Sequence, residues 1–143
     1  MLTDIQATLS SAQALTATAV STDFYDSGTV YDWSLGEPMG VLVTIDVAAD
    51  SADGNETYTF AVETDNDSAF GSATVLTTKT VAAADLTAGA KVVLPFAVGA
   101  EQYVRGVYTL GGTTPSVTVT AEVKPLCDIA TETSNLPSGY TVS

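Results

Sequence analysis

The sequence predicts an all-β protein: a jelly-roll-like antiparallel sandwich of seven or eight strands with an N-terminal arm. Three observations carry the prediction. Period-two alternation of apolar and polar residues recurs in GVLVTIDVA (40–48), TYTFAVE (57–63) and SVTVTAEVK (116–124), as in strands with one buried face. Clusters of Asp, Asn, Ser, Gly and Pro punctuate the chain about every ten residues, the spacing of a β-sandwich or jelly roll. Val and Thr are abundant and Lys is scarce, which favours strand over helix.

Taken in order, residues 1–17 read as an arm or short helix. Thr3 and Gln6 have capping-box spacing, and Ile5, Leu9 and Ala12 share a helical face. A run this short orders only by docking on something. Residues 18–124 form the sandwich domain. Thr18 to Tyr25 reads as a first strand, closed by the turn former Asp26-Ser27-Gly28. Val30 to Leu35, with Tyr31 and Trp33, reads as a loop or short edge strand before the break at Gly36-Glu37-Pro38. Gly40 to Ala48 has apolar residues on both faces near its start and reads as a central strand.

Tyr58, Phe60 and Val62 make the buried face of the next strand. The turn Asp65-Asn66-Asp67-Ser68 follows, with Phe70 as an apolar anchor beneath it, and Val75-Leu76 opens another β-prone run. In Lys91 to Phe96, Pro95 marks an edge or a bulge. In Gln102 to Leu110, Gly106 predicts a bulge or the close approach of another backbone. After Lys124 the alternation stops, and residues 125–143 read as a tail.

Composition excludes several kinds of chemistry. The 143 residues suit one domain, and 45% hydrophobic residues can fill a core. Seventeen acids against Lys79, Lys91, Arg105 and Lys124 give a net charge of −13, which repels phosphate backbones, so nucleic acid is not an expected partner. There is no histidine, and Cys127 stands alone, so the usual general base, an internal disulfide and a His/Cys metal site are all excluded. Cys127 reads as a small packed side chain. The start, MLTDIQATL, does not read as a signal peptide, and no run is apolar enough for a membrane helix. The expectation is synthesis in a cytoplasm, with no membrane partner and no cofactor.

Two acidic groups stand out: Glu63, Asp65 and Asp67, and Asp50, Asp53, Asn55 and Glu56. Neither has the spacing of an EF-hand loop, and turn capping accounts for both, so no metal is expected. A carboxylate pair of the glycosidase kind would need more aromatic and basic neighbours than the chain offers. The expectation is a protein without catalytic residues.

Five segments, in order and spacing, resemble a known family. They are AQALTATAVSTDFYDSG, GEPMGVLVTIDV, TYTFAVETDNDSAFGSATVL with AAADLTAGAKVVLPF after it, and QYVRGVYTL, spanning about Ala12 to Val123. Together they resemble the cement, or decoration, proteins of tailed-bacteriophage capsids, of the type on short-tailed Bordetella phage. The resemblance implies a jelly-roll-like domain on the outside of an icosahedral shell of HK97-type major capsid protein. It implies a homo-oligomer, a dimer in preference to a trimer, made in a bacterial host and carried on the virion's outer surface. It carries over no catalytic or metal residue. Candidate contact residues are Leu2, Ile5 and Leu9 of the arm, Tyr31 and Trp33 of the aromatic loop, and Arg105 as an exposed base. A rival reading is a carbohydrate-binding or adhesion sandwich, such as a head fibre or receptor-binding module. It would need Tyr25, Tyr31, Trp33 and Tyr108 to form an exposed platform.

Overall fold

The computed structural model describes residues 8–28, 39–96 and 99–126. These form nine strands: β1 Thr8–Leu15, β2 Ala19–Val20, β3 Tyr25–Asp26, β4 Met39–Val47, β5 Thr57–Asp65, β6 Thr74–Val81, β7 Lys91–Phe96, β8 Tyr103–Gly111 and β9 Val117–Pro125. A 3-10 turn, Ala83–Asp85, lies between β6 and β7.

The strands make two antiparallel sheets, ordered β1-β9-β4-β7 and β2-β8-β5-β6, with β3 also pairing β8. β2 and β3 pair different parts of β8 and act as one interrupted strand, which leaves the eight expected. The pairs β1·β9, β2/β3·β8, β4·β7 and β5·β6 nest inside one another from the chain ends inward. A long hairpin rolled up in this way, with successive pairs alternating between the two sheets, is a jelly roll.

The alternating residues supply the filling. Val41, Val43 and Ile45 of β4, Tyr58, Phe60 and Val62 of β5, Val104 and Tyr108 of β8, and Val117, Val119, Ala121 and Val123 of β9 form one buried cluster. Phe60 and Tyr108 meet edge to face across the β5–β8 ladder, ring centroids 6.0 Å apart. Such pairs add about 0.5–1.5 kcal/mol beyond the area they bury. β4 lies inside its sheet, and Leu42 is buried as well as its core-facing neighbours, as expected of a central strand.

Two tyrosines carry hydroxyls that the core must satisfy. The Tyr58 hydroxyl donates to the Asp50 carbonyl at 2.7 Å and receives the Ser116 N–H at 3.2 Å, tying two loops together. Tyr108 shares a hydrogen bond of 2.7 Å with Ser10, whose hydroxyl also lies 2.7 Å from the Gln13 side-chain oxygen. Among the described residues no buried side-chain polar atom lacks a partner.

The N-terminal reading needs correction. Thr8 to Leu15 is a strand, not a helix, and it is ordered by docking on its own domain through β9. Leu9 is fully buried in the core and is therefore not available to a partner. The helix-like spacing arose because β1 is irregular. Two register shifts and a positive φ of 47° at Ala12 break its alternation. Long-range pairing with β9 overrides the local preference. Leu2 and Ile5 lie outside the described residues, as do Tyr31, Trp33, Cys127 and the tail beyond Leu126.

Open sheet edges invite pairing with other chains, and each one here carries a known deterrent. β1 is bulged, β2 and β3 have two residues each, and β7 carries Pro95, in line with the edge reading. β6 has a register shift against β5, and Lys79 sits opposite the core residue Phe60, on the core-facing phase of the strand. Gly106 marks a close approach rather than a bulge. Its N–H bonds the Ser21 hydroxyl at 2.9 Å, and a Cβ there would lie 3.1 Å from the Tyr108 hydroxyl.

Candidate docking surface

The outward face of the β2-β8-β5-β6 sheet carries few charges for so acidic a chain. Its residues are those out of phase with the core. Register places Thr109, Thr59 and Thr80 in one row across β8, β5 and β6. The next row is Val20, Val107, Ala61 and Thr78, across all four strands. The third is Arg105, Glu63 and Val75. In a chain of net charge −13, the first two rows contain no charged residue.

The third row holds a charge, but a compensated one. Arg105 Nε bonds Glu63 Oε1 at 2.9 Å, with both side chains about four-fifths covered. The Arg105 guanidinium also lies 4.3 Å over the centre of the Phe70 ring. Arg105 is thus half-buried and paired rather than the exposed base expected from sequence. Asp65 lies at the border of the face. The Ser72 N–H, at 2.8 Å from Asp65 Oδ2, holds its carboxyl below the usual carboxylate range; the Asp67 N–H and Arg105 act in the same direction.

An aromatic corner closes this end of the face. Phe70 sits in the β5–β6 turn with φ 55°, a left-handed conformation unusual for a bulky residue. The turn holds it there: the Phe70 N–H bonds the Asp67 carbonyl at 2.9 Å, and the Ala69 N–H bonds Asp67 Oδ1 at 3.0 Å. Phe70 is buried, as expected of an anchor beneath that turn. Phe24, from the β2–β3 connection, lies edge-on to Tyr103 at 5.3 Å and to Phe70 at 6.0 Å, yet is 43% exposed. Four large hydrophobic residues are exposed among the described residues. Three of them, Val20, Phe24 and Val75, belong to this face and its corner; the fourth is Val47 of β4.

The second acidic group reads differently. One carboxylate oxygen from each of Asp50, Asp53 and Glu56 lies within 4.8 Å of the others. Glu56 Oε1 accepts the Asp53 N–H and its Oε2 the Asn55 N–H, at 2.8 and 2.9 Å. Asp50 Oδ1 accepts the Ala52 N–H. The Asp53 N–H is the main cause of a lowered Glu56 pKa. Asp50 and Glu56 cap turns through these bonds, and a cation would have to compete with the N–H groups they already hold.

Of the sequence-derived contact residues, only Leu9 and Arg105 fall among the described residues, and the structure does not bring them together on a surface. The aromatic platform of the carbohydrate-binding reading does not form as expected. Tyr108 is 1% exposed in the core and Tyr25 is half-buried, while Tyr31 and Trp33 lie outside the described residues. The residues that sequence reasoning missed are Phe24 and the Thr/Val rows. A signal was present in TYTFAVET and QYVRGVYTL, where the non-core phase is mostly Thr, Ala and Val rather than charge.

The fold and this face define a β-sandwich protein with a largely uncharged sheet surface. A family model described as Bbp16 matches residues 9–123, and the chain belongs to the Bbp16 family. That family is named for a Bordetella phage protein, and the chain is a phage-related protein. No curated protein matches the chain.

Proposed function

We propose that this chain is a structural cement, or decoration, protein. It binds the outside of an icosahedral phage shell and stabilises contacts between major capsid subunits of HK97-type fold. It carries no chemistry of its own, and self-associates so that each oligomer spans neighbouring shell subunits. The observation that carries the reading is the uncharged Thr/Val sheet face on a chain of net charge −13 that belongs to a phage protein family.

The physics supports such a role. Solubility alone would favour acids on that face in a chain of net charge −13. Leaving it free of net charge removes the desolvation cost that buried carboxylates would impose in a contact. A specific contact needs about 1,200–2,000 Å² in total. Several modest footholds held together in one oligomer act as one strong clamp, because the second binding event becomes intramolecular. The acids elsewhere keep decorated particles apart.

Mass spectrometry of purified virions, with and without brief surface proteolysis, tests the reading. The chain should be present in many copies per particle and be cleaved while the packaged DNA stays protected. Its absence from particles, or resistance shared with internal proteins, would refute the proposal.

A further inference from the structure

We propose that Phe24 is the anchor of the shell contact, entering an apolar socket on the shell subunit that is rimmed by Lys or Arg side chains. This rests on the shell-binding reading above and names the chemistry of its partner.

The first argument is rigidity. An exposed ring is normally free to turn, but Phe24 is held between two others. Tyr103 meets it at an interplanar angle of 87° and Phe70 at 64°, and Phe70 is itself clamped beneath Arg105. The backbone on both sides is fixed. The Asp23 N–H bonds the Leu9 carbonyl at 2.9 Å, and Tyr25 pairs with Val104. Little rotamer freedom is left to lose on binding, which is the condition under which an aromatic residue contributes most to an interface.

Charge supplies the second argument. Exposed acidic residues flank the corner in sequence and register: Asp23 precedes Phe24, Asp26 pairs across from Tyr103, and Asp67 lies in the turn that carries Phe70. A partner rim that is acidic would repel them, and an apolar rim would strip their water without return. A basic rim complements them. A second copy of this chain cannot supply one. Of its four bases, Arg105 is paired with Glu63 and Lys124 with Glu122, leaving Lys79 on β6 and Lys91 on β7, in different sheets.

Co-sedimentation with particles of the parent phage assembled without this chain tests the proposal. The wild-type chain should pellet with them, less so as sodium chloride rises. Phe24→Ala should lower affinity by at least about tenfold, as for a hot-spot residue, while remaining folded by circular dichroism at the assay temperature. Val47→Ala, which trims the exposed apolar residue on the other sheet, should bind as the wild type does. A triple variant, Asp23→Asn with Asp26→Asn and Asp67→Asn, should bind several-fold more weakly and with a flatter salt dependence.

Wild-type affinity in Phe24→Ala, or unchanged salt dependence in the triple variant, would overturn the anchor while leaving the shell reading intact. Failure of the wild-type chain to pellet would overturn both. If Phe24→Ala instead dissociates a self-associated chain and still pellets normally, the corner is a self-contact and the proposal is wrong.

Discussion

Replacing Tyr108 by Phe removes one oxygen atom from the centre of the sandwich and should have two separable effects. At neutral pH the variant loses the 2.7 Å hydrogen bond to Ser10. Ser10 is not orphaned, because its hydroxyl keeps Gln13. The cost should therefore be that of an ordinary hydrogen bond, about 0.5–1.5 kcal/mol, rather than that of a stranded buried donor. The second effect appears in alkali. Burial pushes the Tyr108 phenol up from 10.0 to about 12, with Ser10 opposing only in part. The folded state thus holds its proton more tightly than the unfolded chain does. The associated stability is fully present below the unfolded value and is lost as pH rises towards the folded one. Two pKa steps correspond to roughly 2.7 kcal/mol. Chemical denaturation across that alkaline range, followed by circular dichroism, should show the wild type losing about 2–3 kcal/mol more than Tyr108→Phe. Tyr58, whose pKa burial also raises, adds a smaller loss in the same direction to both proteins. Equal alkaline losses in the two proteins, or early ionisation of Tyr108 in the tyrosinate absorbance, would refute the burial argument.

Other substitutions test the packing and the loops. Phe60→Ala opens a cavity opposite Tyr108 and should cost about 3–5 kcal/mol by urea denaturation. At Gly112, φ is +93° and a Cβ would lie 2.4 Å from the Asn55 carbonyl oxygen. Gly112→Ala should lower Tm well beyond an ordinary surface change, by the equivalent of about 1–3 kcal/mol. Glu56→Gln removes the charge that holds the Asp53 and Asn55 N–H groups. Because that carboxyl is lowered from 4.5, its contribution is present above the unfolded pKa and lost as pH falls through the folded one. The variant should therefore show a shallower acid-side fall in Tm than the wild type. Added calcium should leave Tm unchanged, since Asp50 Oδ1 and both Glu56 carboxylate oxygens are taken up by turn N–H groups; a clear rise would show a cation site there.

How legible each part was in the sequence follows from how local its cause is. β5 and β9 were visible because each buries one face against a continuous core in nearly unbroken alternation, and β4 because its apolar run is buried on both faces near its start. Pro95 and Gly106 were legible for a similar reason, since a missing donor and a missing side chain each constrain their own position. β1 was not legible. Its two register shifts bury Leu9 and Ser10 side by side, and the pattern then mimics a helix. Only a strand more than a hundred residues away makes it a strand. Sheet order was out of reach on the same ground, because the nesting of β1·β9 around β4·β7 is set by long-range packing.

The uncharged sheet face was half-visible. Its Thr and Val rows stand in the sequence, but an uncharged phase acquires meaning only when four strands align it into a surface. Phe24 read as part of a first strand, Thr18 to Tyr25, and nothing local joins it to Phe70 or Tyr103. Arg105 looked exposed because Glu63, its partner, lies on the neighbouring strand and far away in sequence. Charge placement, by contrast, was read correctly at Asp50 and Asp67, whose carboxylates bond N–H groups two residues ahead.

The most direct test of the account is cryo-electron microscopy of the virion, with maps clear enough to trace a β-sandwich. The account predicts two-sheet density seated on the outside of the shell, with the β2-β8-β5-β6 face against the shell or a neighbouring copy and the acid-bearing loops turned to solvent. Density for this chain inside the shell, or particles that carry none of it, would contradict the account.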